Sequence, residues 1–392
     1  MSAALFPAPD LETDERLARL AALRARMRAA AADVAIVDQQ EHVAYLTGFV
    51  PMGAYYQCCV VPADGEPFAV VRALDVPTLR EQAPGVEHVA YGDGDDSASA
   101  VAGALRERGW DGTRIGLERD SNYLTVAMHD ALRDRLPDAR FVDLAGVLWE
   151  LRLRKSAAEL AHHRRAARIA ELMLAAAVAA AGPGRSEREV AAAIYAAGLR
   201  AGADNAVMAL LVAGDRTEAL HGTLGAGPLE EGTLLHLELM PASGGYSSRC
   251  MRPVAIGEPP AEAVEVTRRL VAIQDRQLAA MAPGAPAREV DRTARAALRA
   301  EGLDPGGTTT GYTLGLIGGA RSADHTRNFL PTSDWTLEQS MVFHMFLSAR
   351  GVTVSDTVVI AADGAERLTC AERRLFRAGE RVETEKGEER ER

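Results

Sequence analysis

A chain of 392 residues is too long for one ordinary hydrophobic core, and at roughly 150 residues per domain it points to two. With 47% hydrophobic and 25% charged residues and no apolar run near the roughly 18 needed to cross a bilayer, it reads as a globular chain that neither spans a membrane nor is disordered. A net charge of -11 argues against a nucleic-acid partner, which would demand clustered Lys and Arg.

The N-terminus has no basic start followed by an apolar core and a small-residue cleavage site, so a cytoplasmic protein is expected. Four cysteines, Cys58, Cys59, Cys250 and Cys370, make neither a C-x-x-C clip nor a disulfide framework, and read as free thiols. From about Glu15 to Ala32 the Arg/Ala/Leu pattern predicts a helix. The segments "VAIVD", "YLTGF", "CCVVP" and "FAVVRALD" then read as strands bounded by Gly, Pro or Asp, an α/β domain over residues 1–151.

A second domain over 152–372 opens on the long helix "KSAAELAHHRRAARIAELMLAAAVAAAGPG". Ser156 and Glu159 form a capping box there, and His162 and His163 are expected at the surface. Residues 181–203 and 281–303 then match without gaps at Pro183/Pro283, Gly184/Gly284, Glu189/Glu289 and Val190/Val290, among others. Each copy precedes a β-rich stretch, so the domain reads as two similar halves with a natural pocket at their junction. Residues 373–392, ending "ERVETEKGEERER", read as a charged tail with almost nothing to bury.

In "TLLHLELM" the strand period places Leu235, Leu237 and Leu239 on one face and Leu234, His236 and Glu238 on the other. A carboxylate in so apolar a strand needs water, a cation or a ligand; a solvated outer face is the bland alternative. "MVFHMFLSARGVTVSDTVVI" reads as a hairpin turning at Ala349-Arg350-Gly351, with His344 and Phe346 sharing a face, as do Thr353, Ser355 and Thr357. His221 lies in a turn-rich stretch before the Glu238 strand, where a base would be well placed. His325, in "RSADHTRNF", is open between a site residue and a surface one. No H-E-x-x-H, G-x-S-x-G or G-x-G-x-x-G occurs. The residues alone lead to a two-halved α/β domain whose best acid is Glu238 and whose best bases are His221 and His344.

The capped "KSAAELAHHRRAARIAELML" helix, the "PGRSEREV" and "PGAPAREV" repeats, the "GGYSSRCMRPVAIG" turn, "GYTLGL" and the final hairpin together resemble the pita-bread family of methionine aminopeptidase, aminopeptidase P, prolidase and creatinase. "EHVAYLTGF" and the segment after it resemble the creatinase-type N-terminal domain. The resemblance implies an α/β (α+β) chain, with a creatinase-type N-terminal α/β domain followed by a pseudo-symmetric pita-bread domain. Its peptidases hold two metal ions with two aspartates, a histidine and two glutamates. Those positions fall on Glu238, Arg249, Tyr312, Phe346 and Ser355, which implies a site that has given up metal.

Creatinase in this family cleaves a C–N bond without metal, and its catalytic histidine falls on His221. Similarity to ectoine hydrolase lies in Glu238, Gly311-Tyr312, Phe343-His344 and Ser355-Asp356. The expectation is a metal-independent hydrolase of a small amide, amidine or cyclic amidine with no cofactor. Glu238, His221, Tyr312 and His344 would be catalytic. Arg249, Arg252, Tyr246, His325, Phe346 and Ser355 would line the substrate, and the two arginines would receive its carboxylate. The alternatives are an Xaa-Pro-type metallopeptidase with altered ligands and a non-catalytic binding protein. Creatinase-type relatives are homodimers, so a homodimer is expected, with Arg72 or Tyr55 facing the neighbouring subunit's pocket.

Overall fold

The structure, a computed structural model, describes residues 13–51, 55–204, 209–304, 306–317 and 323–383. It divides into two compact units, one running to Arg152 and including Leu316 and Ile317, the other formed by the remainder. In the first unit the elements run α1 (Thr13–Ala29), β1 (Val34–Val37), α2 (Gln40–Thr47), β2 (Cys58–Pro62), β3 (Phe68–Arg72), α3 (Val76–Gln82), β4 (Glu87–Tyr91), α4 (Ser97–Glu107), β5 (Arg114–Leu117), α5 (Val126–Arg135), β6 (Arg140–Asp143) and α6 (Val147–Leu151).

The six strands form one mixed sheet in the order β4-β3-β2-β1-β5-β6. β1 is apolar on both faces because both are covered, and Val34, Ile36, Val60, Val70, Ile115 and Leu117 share a core with Val101, Leu105 and Leu132. "YLTGF" is not a strand: Tyr45, Leu46 and Thr47 close α2, whose eight residues are all buried. A helix buried all round shows no 3.6-residue periodicity, so it passes for a short apolar strand. Arg72 is engaged within this unit: its Nη2 donates to Asp93 Oδ2 at 2.6 Å and its guanidinium lies 4.0 Å from the Tyr55 ring centroid.

The second unit continues with α7 (Ala157–Ala180), α8 (Glu187–Arg200), β7 (Ala209–Ala213), β8 (Leu234–Leu239), β9 (Ala242–Ser243), β10 (Tyr246–Ser247), β11 (Cys250–Ala255), α9 (Ala261–Ala279), α10 (Ala287–Ala300), β12 (Gly311–Thr313), β13 (Val342–Ala349), β14 (Val352–Ala361), β15 (Gly364–Arg367) and β16 (Phe376–Arg377). The capping box at Ser156 and Glu159 is formed. α8 and α10 sit 100 residues apart, as the repeat predicts, and the turns before them are held alike. Gly184 N–H donates to Leu229 O at 2.9 Å and Gly284 N–H to Leu337 O at 2.7 Å.

The main sheet runs β12-β13-β14-β11-β8-β7, each neighbour antiparallel, with β15 on β14 and β16 parallel to β11. Its helix-facing side carries Leu235, Leu237, Leu239 and Val254 against Ile169, Met173, Val190 and Ile194, and Leu347 and Val354 against Leu270, Ile273 and Ala294. The final hairpin turns on Arg350 and Gly351 with φ of 51° and 72° respectively in the left-handed region, which suits the twist of the paired strands. A Cβ on Gly351 would stand 2.6 Å from Thr217 Oγ1, so the position also demands a bare backbone.

Two expectations fail here. His163 is fully buried: its Nδ1 lies 2.8 Å from Ser247 O, and burial pulls its pKa down to about 3. The stretch from 373 does not begin as a solvated tail, because Phe376 is fully buried in the α7/α8 core and pairs through β16 with Val254. One aromatic and one Leu anchor a segment whose charged neighbours mask them. Residues 384–392 lie outside the described residues. All four cysteines are free, with Cys370 half-buried.

Candidate active site

Register decides which side chains meet, because residues paired across antiparallel strands share a face. Phe346 pairs with Ser355, Ser355 with Met251, Met251 with Glu238 and Glu238 with Leu210, giving one row across five strands. The next row holds Tyr312, His344 and Thr357, and the row beyond Glu238 holds Pro253, His236 and Val212. All of these lie opposite the helix-facing leucines. The sheet therefore carries its chemistry on one side and its core on the other.

Glu238 and Arg249 are 1% and 3% exposed, and Arg249 Nη1 donates to Glu238 Oε1. Taking either charge out of water alone would cost several kcal/mol, so each is the condition for the other's burial. Glu238 Oε2 has no hydrogen-bond partner among the described residues. The Arg249 guanidinium carbon lies 5.6 Å from the Tyr312 ring centroid. The Tyr312 hydroxyl stands 2.9 Å from His344 Nδ1, while His344 Nε2, fully buried, has no partner among the described residues.

Burial first, then the Arg249 charge, holds the His344 pKa well below the ordinary imidazole value, so the ring is neutral. Burial raises that of Tyr312, keeping its hydroxyl protonated. Phe346 stacks 5.3 Å from His344, and His325, exposed, tilts 4.1 Å from Tyr312. Glu238, Arg249, Tyr312, His344, Phe346 and His325 thus form one linked cluster. Ser355 sits in the Glu238 row but spends its Oγ accepting the Met251 N–H at 2.8 Å.

Two expected substrate contacts belong elsewhere. Arg252 is fully buried on the helix-facing side, donating to Asp356 Oδ1 at 2.8 Å, Ala371 O at 3.0 Å and Glu372 O at 2.8 Å. Three positions separate Arg249 from Arg252, so on a period-two strand they face opposite ways. Tyr246 points its hydroxyl at Glu159 Oε1, 2.6 Å away, and packs edge-on to His163; it fastens the α7 N-terminus. With Arg249 clamped to Glu238 and Arg252 behind the sheet, the pair does not form a carboxylate receptor.

His221 is exposed on the segment between β7 and β8. That segment lies close on β7, since a Cβ on Gly222 would stand 2.6 Å from Val212 Cγ1. Val212 is the cross-strand partner of His236, which is 2% exposed and has no partner for either ring nitrogen among the described residues. Burial, helped by the His221 charge, pulls the His236 pKa down to about 4. The alternation of β8 places His236 beside Glu238, but a strand pattern alone does not show that its ring nitrogens go unpaired.

The family profile for metallopeptidase family M24 matches residues 161–362, and that for the creatinase/prolidase N-terminal domain matches 19–154. The chain belongs to the M24 family. Ectoine hydrolase from Halomonas elongata is 26% identical to this M24 chain over 387 residues, covering 93% of it and 97% of the relative. An Xaa-Pro dipeptidase from Pyrococcus furiosus is 26% identical over 268 residues, 67% of this chain and 75% of that one. Among solved structures, prolidase from Thermococcus sibiricus superposes with a TM-score of 0.82 at 23% identity, over 94% of this chain and all (100%) of that one, a likeness of fold. Dipeptidase PepE from Mycobacterium ulcerans does so with a TM-score of 0.78 at 25% identity, covering 94% and 99%. The creatinase-type and pita-bread architecture is thereby established, and with it membership of a family of hydrolases.

Of the five positions that the resemblance assigns to metal ligands, only Glu238 is a carboxylate, and it is ion-paired to the arginine at a second of them. Tyrosine, phenylalanine and serine hold the rest. Two divalent ions need several hard oxygen or imidazole ligands, and this donor set does not fit them. Among the described residues no group of three or more His, Cys, Asp and Glu side chains is placed to hold a metal ion, and no helix is long and apolar enough to cross a membrane.

Proposed function

We propose that this protein hydrolyses a C–N bond of a small amide, amidine or cyclic amidine without a metal ion. The observation that carries the proposal is the buried Glu238 carboxylate, with one oxygen held by Arg249 and the other facing the chemical side of the sheet unpartnered among the described residues. A carboxylate so held is a general base with a fixed free oxygen. The relationship to ectoine hydrolase along almost the whole chain supports a cyclic amidine.

In this mechanism Glu238 Oε2 takes a proton from water as the water oxygen bonds to the electrophilic carbon. The tetrahedral intermediate then releases its C–N bond while the departing nitrogen gains a proton, His221 exchanging it with solvent. An amidine gives an amide and an amine; an amide gives an acid and an amine. Tyr312 and the neutral His344 use one proton in the hydrogen bond between them and keep one more, on the hydroxyl or on Nε2, to donate to charge developing in the transition state, and Arg249 balances the charge of Glu238.

A panel of ectoine, linear amidines, amides and Xaa-Pro dipeptides tests this. Turnover of a cyclic amidine or small amide is expected, falling at least about a hundredfold in Glu238→Gln and in His221→Ala. Cleavage of Xaa-Pro dipeptides alone would replace the reading with the peptidase one, and a panel member bound but unchanged would favour a binding protein.

A further inference from the structure

Three polar atoms without partners among the described residues lie within two residues of one strand: both ring nitrogens of His236 and Oε2 of Glu238. Each orphaned buried group costs about 1–3 kcal/mol, and such groups in a native fold call for an occupant. The flanking positions supply none. Val212 and Pro253, the cross-strand partners of His236, offer no polar side chain, and those of Glu238 are Leu210 and Met251. Only the directly paired positions are apolar, and Arg249 reaches Glu238 through Oε1.

We propose that His236 is a further catalytic residue, which holds the attacking water against Glu238 Oε2; the inference rests on the hydrolase reading above. Side chains two residues apart on a strand rise from Cα atoms about 6.6–6.8 Å apart. A water accepting from or donating to an imidazole nitrogen and a carboxylate oxygen spans about 5.5 Å between them, two hydrogen bonds of ordinary length. One water therefore fits between His236 and Glu238 with little adjustment. A neutral imidazole presents one donor and one acceptor, so it can accept the water's second hydrogen while the first passes to Glu238.

This divides labour between two histidines. His236, buried beside Glu238, orients the nucleophile and stays neutral. His221, exposed on the segment that Gly222 brings against Val212 and near enough for its charge to act on His236, carries protons in and out. In the transfer itself the water O–H bond breaks to Glu238 and the C–O bond forms. His236 changes no bond, only the direction in which the water lone pair points. Orientation of this kind appears in kcat more than in KM.

The experiment compares wild type, His236→Leu and His236→Gln on the panel above, with thermal stability measured alongside. ¹⁵N ring signals of His236, assigned by their absence from His236→Gln, are followed as ectoine, acetamidine or an Xaa-Pro dipeptide is added. We expect His236→Leu to be folded and at least as stable as wild type, since it removes an unpaired polar group, yet about a hundredfold slower in kcat with KM little changed. His236→Gln, which restores a donor and an acceptor, should recover about tenfold of that loss. A His236→Leu kcat within about threefold of wild type on every substrate turned over would overturn the proposal. If wild type turns over nothing, the hydrolase reading fails by itself, and the ring signals still decide: a shift with a panel member keeps His236 in the site, and no shift with any removes it.

Discussion

Glu238 and Arg252 show how a buried charge can serve opposite ends on two faces of one sheet. Each carries a buried charge with one ionic partner, but Arg252 fills its remaining donors with backbone oxygens, whereas Glu238 keeps an oxygen in reserve. The first arrangement is structural. Arg252→Met should leave Asp356 buried with its closest cation gone and destabilise the fold by about 3–5 kcal/mol, read from denaturant unfolding. Arg249→Met strands a charge in the same way, but at the site. It should abolish turnover, and with Glu238→Gln added the stability lost should largely return, because the neutral pair has no charge to strand. A double variant no more stable than Arg249→Met would contradict the pairing.

At the level of elements, β8 and the β13–β14 hairpin were legible in the sequence because their periodicity is unmixed. Apolar residues alternate with His236 and Glu238 on one, and an Arg-Gly turn splits two apolar runs on the other. What was not legible follows from cross-strand register, which no single strand encodes. Only the pairing of Glu238 with Met251 and of Met251 with Ser355 shows that Phe346, Ser355 and Glu238 form a row. The parity of Arg252 could have been counted, since it sits an odd number of positions from Arg249. The helix α2 could not, because complete burial erased its period. His163 was misplaced by its neighbour: adjacent residues on a helix point about 100° apart, so an exposed flank for one does not fix the other. The α7 cap, by contrast, was a local signal read correctly. Ser156→Ala should cost about 1 kcal/mol in equilibrium unfolding. No change there would mean that the Tyr246 hydrogen bond to Glu159 holds the helix end unaided.

On the scale of the molecule, the two units should respond to pH in opposite directions. In the first, Glu118 accepts the backbone N–H of Asp38 at 3.1 Å and lies against His42. Burial, then mutual repulsion, raises the pKa of Asp38 to about 7, and burial raises that of Glu118 to about 8. Unfolded carboxyls titrate near pH 4, so between there and about 8 the folded unit binds more protons than the unfolded chain, and its stability falls as pH rises. In the second unit His163 and His236 are depressed to about 3 and about 4, and His344 is also lowered, all by burial. There the unfolded chain binds more protons below about 6.5, so stability falls as pH drops. Hydrogen exchange corrected for intrinsic rates should show the first unit losing protection from pH 5.5 to 8 and the second gaining it. Parallel changes in both would refute the assignment.

Whether a carboxylate and its arginine do here what metal ions do in the M24 peptidases is decided by turnover of ectoine or another cyclic amidine after exhaustive chelation, with metal content measured in the same sample. The expected rate is unchanged by stripping and unaffected by added Mn²⁺ or Co²⁺, with Glu238→Gln inactive in both conditions. Activity that vanishes on stripping and returns with either ion would contradict it.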